Sequence, residues 1–210
     1  SGDWWVQDLA AMIPAHLLDP QRGDTIVDLC AAPGGKTLQL AAAGANVTAV
    51  DRSAPRLRLL KENLARTGLK ATVITANADE WRPPEPVMKI LLDAPCSALG
   101  TLRRHPEGAW IKREAEVARF PAAQARLLDA AIDMLAPGGT LIYCVCTPLP
   151  AEGVDIVESA LTTGRVLRVP VTPADVPGFS HAITSSGDVL TLPGGDSDHD
   201  TFYISRLKKA

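Results

Sequence analysis

The stretch from Thr25 to Thr37, TIVDLCAAPGGKT, constrains the fold more than any other part of the chain. Thr25 to Leu29 is a short apolar run with β-branched members, bounded upstream by Gly23-Asp24, and it reads as a buried strand. The small-residue turn Ala31-Ala32-Pro33-Gly34-Gly35 follows at once, and Lys36 to Ala43 reads as a helix. A strand, a turn of small residues and a helix N-terminus let a ligand approach the backbone closely. Two common readings of such a turn fail. The dinucleotide pattern G-x-G-x-x-G is absent, and a P-loop needs glycine where Cys30 stands. The ligand expected on this turn is therefore neither NAD nor ATP.

The rest of the chain alternates in the same way. Trp4 to Leu18 carries a helical apolar stripe at Trp5, Leu9, Met12, Ile13 and Leu17, with a kink or break expected at Pro14 and packing roles for the tryptophans. Asn46 to Val50 reads as a second strand ending at Asp51. Ser53 then caps a helix from Ala54 to Thr67, with Leu57, Leu60 and Leu64 inward and Gly68 as the stop. Ala71 to Ala76, Val87 to Leu92 and Gly139 to Cys146 read as further strands, Pro121 to Ala136 as a helix, and Thr201 to Leu207 as a last strand. Pro170 to Asp200, rich in proline, glycine and serine, reads as loop. Alternation of this kind indicates a parallel sheet covered on both faces.

At 210 residues and 46% hydrophobic, a single domain with a sizeable core is expected. The net charge of −3 argues against nucleic-acid binding by the whole surface, leaving room for a local basic patch. The four cysteines, Cys30, Cys96, Cys144 and Cys146, form no disulfide-scaffold pattern and no C-x-x-C pair, so reduced thiols in a cytoplasmic protein are expected and no metal. Met134 to Ala151 is uncharged but is broken by Pro137-Gly138-Gly139, so no membrane span is expected. The Ser-Gly start without methionine reads as a tag scar or a cut from a longer protein.

In open parallel sheets ligands bind at the carboxyl ends of the strands. Five such ends here carry Cys30 and the glycine turn, Asp51, Asn77, Asp93-Ala94-Pro95-Cys96 and Cys146-Thr147-Pro148. An acid about 20 residues beyond the first strand suits a ribose diol, although Asp51 equally suits a helix cap. Cys144 lies two residues before Cys146 on one strand, so both face one side; Cys144 reads as a small buried hydrophobe, and Cys146 sits at the open end.

DLCAAPGGKT, AVDRS, LLDAPCSALGTLRRHP and PGGTLIYCVCTPLPAEG together resemble the RNA 5-methylcytosine methyltransferases of the NOL/NOP/Sun family, nearest its bacterial small-subunit ribosomal RNA methyltransferase B group. The likeness runs from Trp5 to His199-Asp200-Thr201-Phe202-Tyr203. It implies an α/β, Rossmann-like S-adenosylmethionine-dependent methyltransferase fold, with a mostly parallel seven-stranded sheet whose last strand is antiparallel. It also implies a catalytic domain spanning residues 1–210 that lacks the N-terminal RNA-binding domain usual in full-length bacterial members; a cytoplasmic monomer is expected.

Carbon 5 of cytosine is a poor nucleophile, and adding a thiolate at carbon 6 turns it into an enamine carbon able to attack a sulfonium methyl group. By resemblance the nucleophile is Cys146, and Cys96 assists breakdown of the adduct. DNA enzymes use a Pro-Cys cysteine as nucleophile instead, so the residues alone leave the two roles open. Asp93 would hold the cytosine ring nitrogen and amino edge, or merely cap a turn. Lys36 or the helix N-terminus would raise the thiolate fraction.

The family pattern assigns S-adenosylmethionine to Cys30, Ala31, Ala32, Pro33, Gly34, Gly35 and Lys36 around its methionine part, with Asp51 at the ribose and Asp93 alongside. Arg56 would contact the ribose or remain a solvated charge. The family's acid after the third strand aligns with Asn77, which keeps an acceptor for the adenine amino group but loses the charge. Two other departures are Val145-Cys146-Thr147, where the family has Thr-Cys-Ser, and Ala98-Leu99-Gly100, where a threonine before the glycine is common. RNA contact is expected from Arg103, Arg104 and His105, followed by Lys112 and Arg113. Trp110 suits either base stacking or burial under that loop.

Overall fold

The computed structural model describes residues 2–194 and 198–210. Eight strands form one sheet: β1 (Thr25–Leu29), β2 (Asn46–Asp51), β3 (Thr72–Thr75), β4 (Val87–Asp93), β5 (Leu135–Val145), β6 (Val166–Arg168), β7 (Val189–Thr191) and β8 (Phe202–Lys209). The order is β3-β2-β1-β4-β5-β8-β6, with β7 also paired to β8. β8 runs antiparallel to β5, β6 and β7, whereas β1 to β5 pair in parallel. β6 takes the far end of β8 and β7 its beginning, so the two share one edge and the sheet has seven strand positions.

The helices are α1 (Leu9–Leu17), α2 (Gly35–Ala42), α3 (Ala54–Thr67), the short α4 (Gly108–Ile111) and α5 (Glu114–Val117), α6 (Phe120–Met134) and α7 (Val154–Thr162). Both sheet faces are apolar, as parallel strands covered on two sides require. On β4, Ile90 and Leu92 join the core beneath α6 and α7, while Leu91 points to the opposite core with Ile13 and Leu17 of α1. Leu57, Leu60 and Leu64 of α3 close a third cluster against Leu38 and Ala49. Ser53 caps α3 by accepting from the Arg56 amide, and Gly68 ends it at φ +68°, as their sequence positions predict.

Several boundaries differ. α1 begins at Leu9 because Asp8 caps it, accepting from the Ala10 amide at 2.9 Å. Pro14 sits inside the helix without ending it, since Leu18 still bonds its carbonyl. The buried face is Ala10, Ile13, Pro14 and Leu17, and two members of the expected stripe, Leu9 and Met12, are exposed. Trp5 packs against the third cluster and Trp81 against the first, but Trp4 and Trp110 are exposed. β5 starts at Leu135, not Gly139: Val87 pairs with Leu135 and Lys89 with Thr140, so Ala136 to Gly139 bulge out between them.

The expected loop Pro170 to Asp200 contains the short strand β7, which β8 recruits; residues 195–197 of that stretch, like Ser1, lie outside the described residues. No helix among the described residues is long and apolar enough to cross a membrane.

Candidate active site

The carboxyl ends of β1, β2, β4 and β5 converge on one edge. β1 ends in Cys30, whose backbone is left-handed (φ +60°) and turns the chain into Ala31 to Gly35. Gly34 has φ +110°, and a Cβ there would lie 2.2 Å from Leu60 Cδ1, so only glycine lets the turn settle on α3. The Ala32 amide donates to Asp51 Oδ2 at 3.0 Å, and the Ser53 amide to Asp51 Oδ1 at 2.8 Å. The acid thus both braces the turn and caps the chain entering α3. Arg56 bonds the Ala32 carbonyl and lies 3.5 Å from Asp51 Oδ2, so it is paired rather than simply solvated.

Beneath the turn, Thr37 Oγ1 donates to the fully buried Asp28 Oδ2 at 2.5 Å, while Oδ1 has no partner among the described residues. Burial pushes the Asp28 carboxyl up to about 7, with the Thr37 bond favouring the ionised form and nearby Asp93 opposing it. The unfolded chain releases this proton near the ordinary value of 3.8, the folded chain only near 7, so folding loses stability as pH rises between them. The stability difference between Asp28→Asn and the parent is expected to move in the variant's favour by on the order of 2–4 kcal/mol from about pH 4 to pH 8. Urea unfolding of both proteins across that range measures it.

Asp93, at the end of β4, takes Lys36 Nζ on Oδ2 at 2.8 Å and the Cys144 thiol on Oδ1 at 3.5 Å. Cys144, read from the sequence as a small hydrophobe, is therefore also a donor to this acid. Lys36 is buried and lies 4.9 Å from the centre of the Phe202 ring. Burial works most strongly against its charge, but Asp93, with the Cys144 and Cys146 sulfurs adding to it, holds the ammonium above its ordinary range.

Cys96 and Cys146 meet with their sulfurs 3.4 Å apart. The Cys96 thiol bonding Cys146 lowers the Cys146 pKa, with burial and Asp93 opposing and Lys36 assisting. Cys96 is correspondingly held protonated, as are Cys30 and Cys144, which burial pushes up. Of the four thiols, Cys146 is thus the one shifted toward ionisation. The loop after Cys96 is pinned to it: the Gly100 amide donates to the Cys146 carbonyl at 2.9 Å, and a Cβ on Gly100 would lie 2.8 Å from that oxygen.

A cavity of about 260 Å³ is lined by Cys30, Arg56, Asp93, Ala94, Pro95, Cys96, Ala98 and Cys146. A second, of about 160 Å³, holds Asp51, Asn77, Asp79 and the apolar Ala78, Pro95, Phe120 and Leu127, and shares Cys30, Arg56 and Pro95 with the first. An acid at a strand end beside an apolar wall suits an adenosyl group, the carboxylate accepting from ribose hydroxyls and the wall taking the purine. Another cavity, of about 680 Å³ between Gly23 and Lys89 at the amino ends of the strands, shares no residue with either.

The expected catalytic and cofactor residues thus gather at one edge. Arg103, Arg104 and His105 do not line these cavities. Arg104 makes a two-pronged pair with buried Asp200, Arg103 reaches Asp8 and Asp198, and His105 faces Glu107. Much of the positive charge expected to meet RNA is thereby balanced within the chain, while Trp110 stands 88% exposed beside it. Sequence reading missed Asp28, whose signal was a lone acid within an apolar strand, and Phe202 over Lys36. It also missed the buried polar group Ser97, Gln124, Thr147 and Glu152 behind the two cysteines.

The chain is 41% identical over 211 residues to the ribosomal RNA small subunit methyltransferase B of Salmonella newport, covering 97% of this chain and 47% of that protein. It therefore spans about half the length of the curated relatives it matches. Among solved structures, NSun6 from Pyrococcus horikoshii with SFG, an S-adenosylmethionine analogue, superposes with TM-score 0.82 at 28% identity, covering 98% of this chain and 53% of that one. A methyltransferase homologue from the same organism gives TM-score 0.80 at 27% identity, covering 98% and 68%. A family model described as 16S rRNA methyltransferase RsmB/F matches residues 15–208, and with this fold and this edge of the sheet the chain belongs to that family of S-adenosylmethionine-dependent methyltransferases.

Proposed function

We propose that this chain methylates carbon 5 of a cytosine in RNA, small-subunit ribosomal RNA by its relatives' names, as a cytoplasmic monomer working through a covalent cysteine adduct. The observation that carries the reading is the contact of Cys96 with Cys146 beside Asp93, in a cavity that adjoins the glycine-turn cavity through Cys30 and Arg56.

S-adenosylmethionine, when bound, supplies an electrophilic methyl group. Asp51 would hold its ribose, the Cys30 to Lys36 turn its methionine part, and Asn77 the adenine edge. Cys146, the thiol kept nearest to ionisation, adds to carbon 6 of the base. Asp93 bonds the ring nitrogen and amino edge, steadying the charge that addition pushes into the ring. Lys36 keeps Asp93 in place and offsets part of its charge at Cys146. Carbon 5 takes the methyl group and then gives up its proton to a base; the electron pair of that bond reforms the carbon 5–carbon 6 double bond and Cys146 leaves as a thiolate, with Cys96 assisting. The target base must be turned out of any helix, at roughly a few kcal/mol. Arg103, Arg104, His105, Lys112 and Arg113 with exposed Trp110 would meet the flanking strand, weakly and in a salt-dependent way.

Incubation with labelled S-adenosylmethionine and unmodified small-subunit ribosomal RNA, followed by nucleoside mass spectrometry, tests the reading. The expected product is 5-methylcytidine. Label in another nucleoside, or none despite S-adenosylmethionine binding, overturns it.

A further inference from the structure

We infer that Glu152 is a positioning residue that sets Cys96 against Cys146, although it touches neither sulfur. It stands at the end of the turn Pro150–Glu152 that follows Cys146-Thr147-Pro148, and it is 1% exposed. Its Oε2 accepts from the Ser97 amide at 2.8 Å and from Gln124 Nε2 at 3.0 Å. Gln124 Nε2 also donates to the Pro95 carbonyl at 3.0 Å. Cys96 is thus bracketed: the carbonyl before it and the amide after it both end on the Gln124–Glu152 pair.

The other side of the contact is tied to the same group. Tyr143, on the strand that delivers Cys146, donates its hydroxyl to the Glu152 carbonyl at 2.6 Å. Ser97 Oγ and Thr147 Oγ1, one residue beyond each cysteine, bond at 3.0 Å. Tyr143, Gln124, Ser97 and Thr147 are all fully buried. An acid taken out of water is costly unless its bonds do something an apolar residue could not. Here they hold two loops, from β4 and from β5, so that one thiol points at the other. The Cys96 bond is what favours the Cys146 thiolate, so a shift of the Cys96 loop is felt at the nucleophile without any change in the nucleophile itself.

The consequence for turnover rests on the proposed adduct mechanism, whereas the placement of the thiols does not, and the test separates them. Iodoacetamide modification of Cys146, followed by peptide mass spectrometry across pH and without RNA, reads the thiol pairing alone. Cys96→Ala sets the scale by removing the bond outright. Glu152→Ala is expected to raise the pH midpoint of Cys146 modification as Cys96→Ala does, by about one unit or roughly tenfold in thiolate at low pH. The double variant should move no further, and Glu152→Gln, which keeps an acceptor for the Ser97 amide, should stay near the parent. Gln124→Ala gives the same reading, with a smaller shift, if Glu152→Ala does not fold.

A folded Glu152→Ala or Gln124→Ala with the parental profile overturns the proposal. So does a Cys96→Ala profile that fails to move, or a Glu152→Gln profile displaced as far as Glu152→Ala, which would assign the effect to charge. Separately, Glu152→Ala given RNA and S-adenosylmethionine should accumulate the covalent adduct as Cys96→Ala does. Absence of any adduct, with the thiol profiles as expected, counts against the adduct mechanism and leaves the positioning role standing.

Discussion

Replacing Cys96 with alanine is expected to turn the enzyme into a trap: a covalent protein–RNA adduct accumulates that survives denaturing electrophoresis, while Cys146→Ala forms none. The two sulfurs are 3.4 Å apart, so either could in principle reach the same base. Their surroundings separate them. Cys96 is held protonated by the bond it makes to Cys146 and by burial, whereas the same bond favours the Cys146 thiolate. The adding group must be a thiolate, and the group that helps undo the adduct acts only afterwards. Removing Cys96 leaves addition and methyl transfer possible but slows release, so methylated RNA appears in no more than about one turnover per enzyme while catalytic turnover falls by roughly 10²–10⁴-fold. Cys96→Ala also removes the bond that favours the thiolate, so adduct formation should slow by about tenfold at neutral pH and recover at higher pH. An adduct seen with Cys146→Ala and absent with Cys96→Ala would exchange the two roles. No adduct with either would remove covalent catalysis altogether.

Local signals made most of this arrangement legible. Glycine after an apolar strand, a serine before a leucine stripe and glycine after it place β1, α2 and α3 almost to the residue, because turns and caps depend on neighbours in the chain. The convergence of Cys30, Asp51, Asp93, Cys96 and Cys146 follows from parallel strands, whose carboxyl ends must share an edge. What sequence could not show is settled by partners far along the chain. Arg104 meets Asp200 across 96 positions, so a cluster that reads as a basic patch is half neutralised in the fold. β7 is only three residues long, Val189–Thr191, in a stretch rich in proline, glycine and serine, and it becomes a strand by pairing along the edge that β8 offers. Cys144 reads as apolar filling until the β4–β5 register sets it opposite Asp93. Glu152 has no local signal either, since its worth lies in bonds to Ser97 and Gln124 on two other elements.

Asp93→Asn is the other substitution expected to be severe, with kcat falling by about 10²–10⁴-fold, well beyond any loss of S-adenosylmethionine affinity. The side chain is one-third exposed, facing the cavity that Cys96 and Cys146 also line, yet it is the counter-ion of a lysine that is nearly buried. Asparagine keeps the size and can still accept from Lys36, but it cannot neutralise it. The ammonium then loses the acid that does most to offset its burial, and its pKa falls. The base loses more. In the proposed mechanism, addition of sulfur at carbon 6 drives negative charge toward the ring nitrogen, and the proton that neutralises it can pass from the Lys36 ammonium through the Asp93 carboxylate, a relay that an amide cannot carry. A 10³-fold loss corresponds to about 4 kcal/mol of transition-state stabilisation, within what one well-placed polar group supplies in a dry site. Combining the change with Cys96→Ala locates the step. If Asp93 steadies the addition, Asp93→Asn/Cys96→Ala accumulates no adduct over the time in which Cys96→Ala alone is fully trapped. Full trapping in the double variant, with no methyl group on the base, would move Asp93 to a later step, and a single variant retaining more than about a tenth of parental kcat would leave the Lys36 pair as its whole purpose.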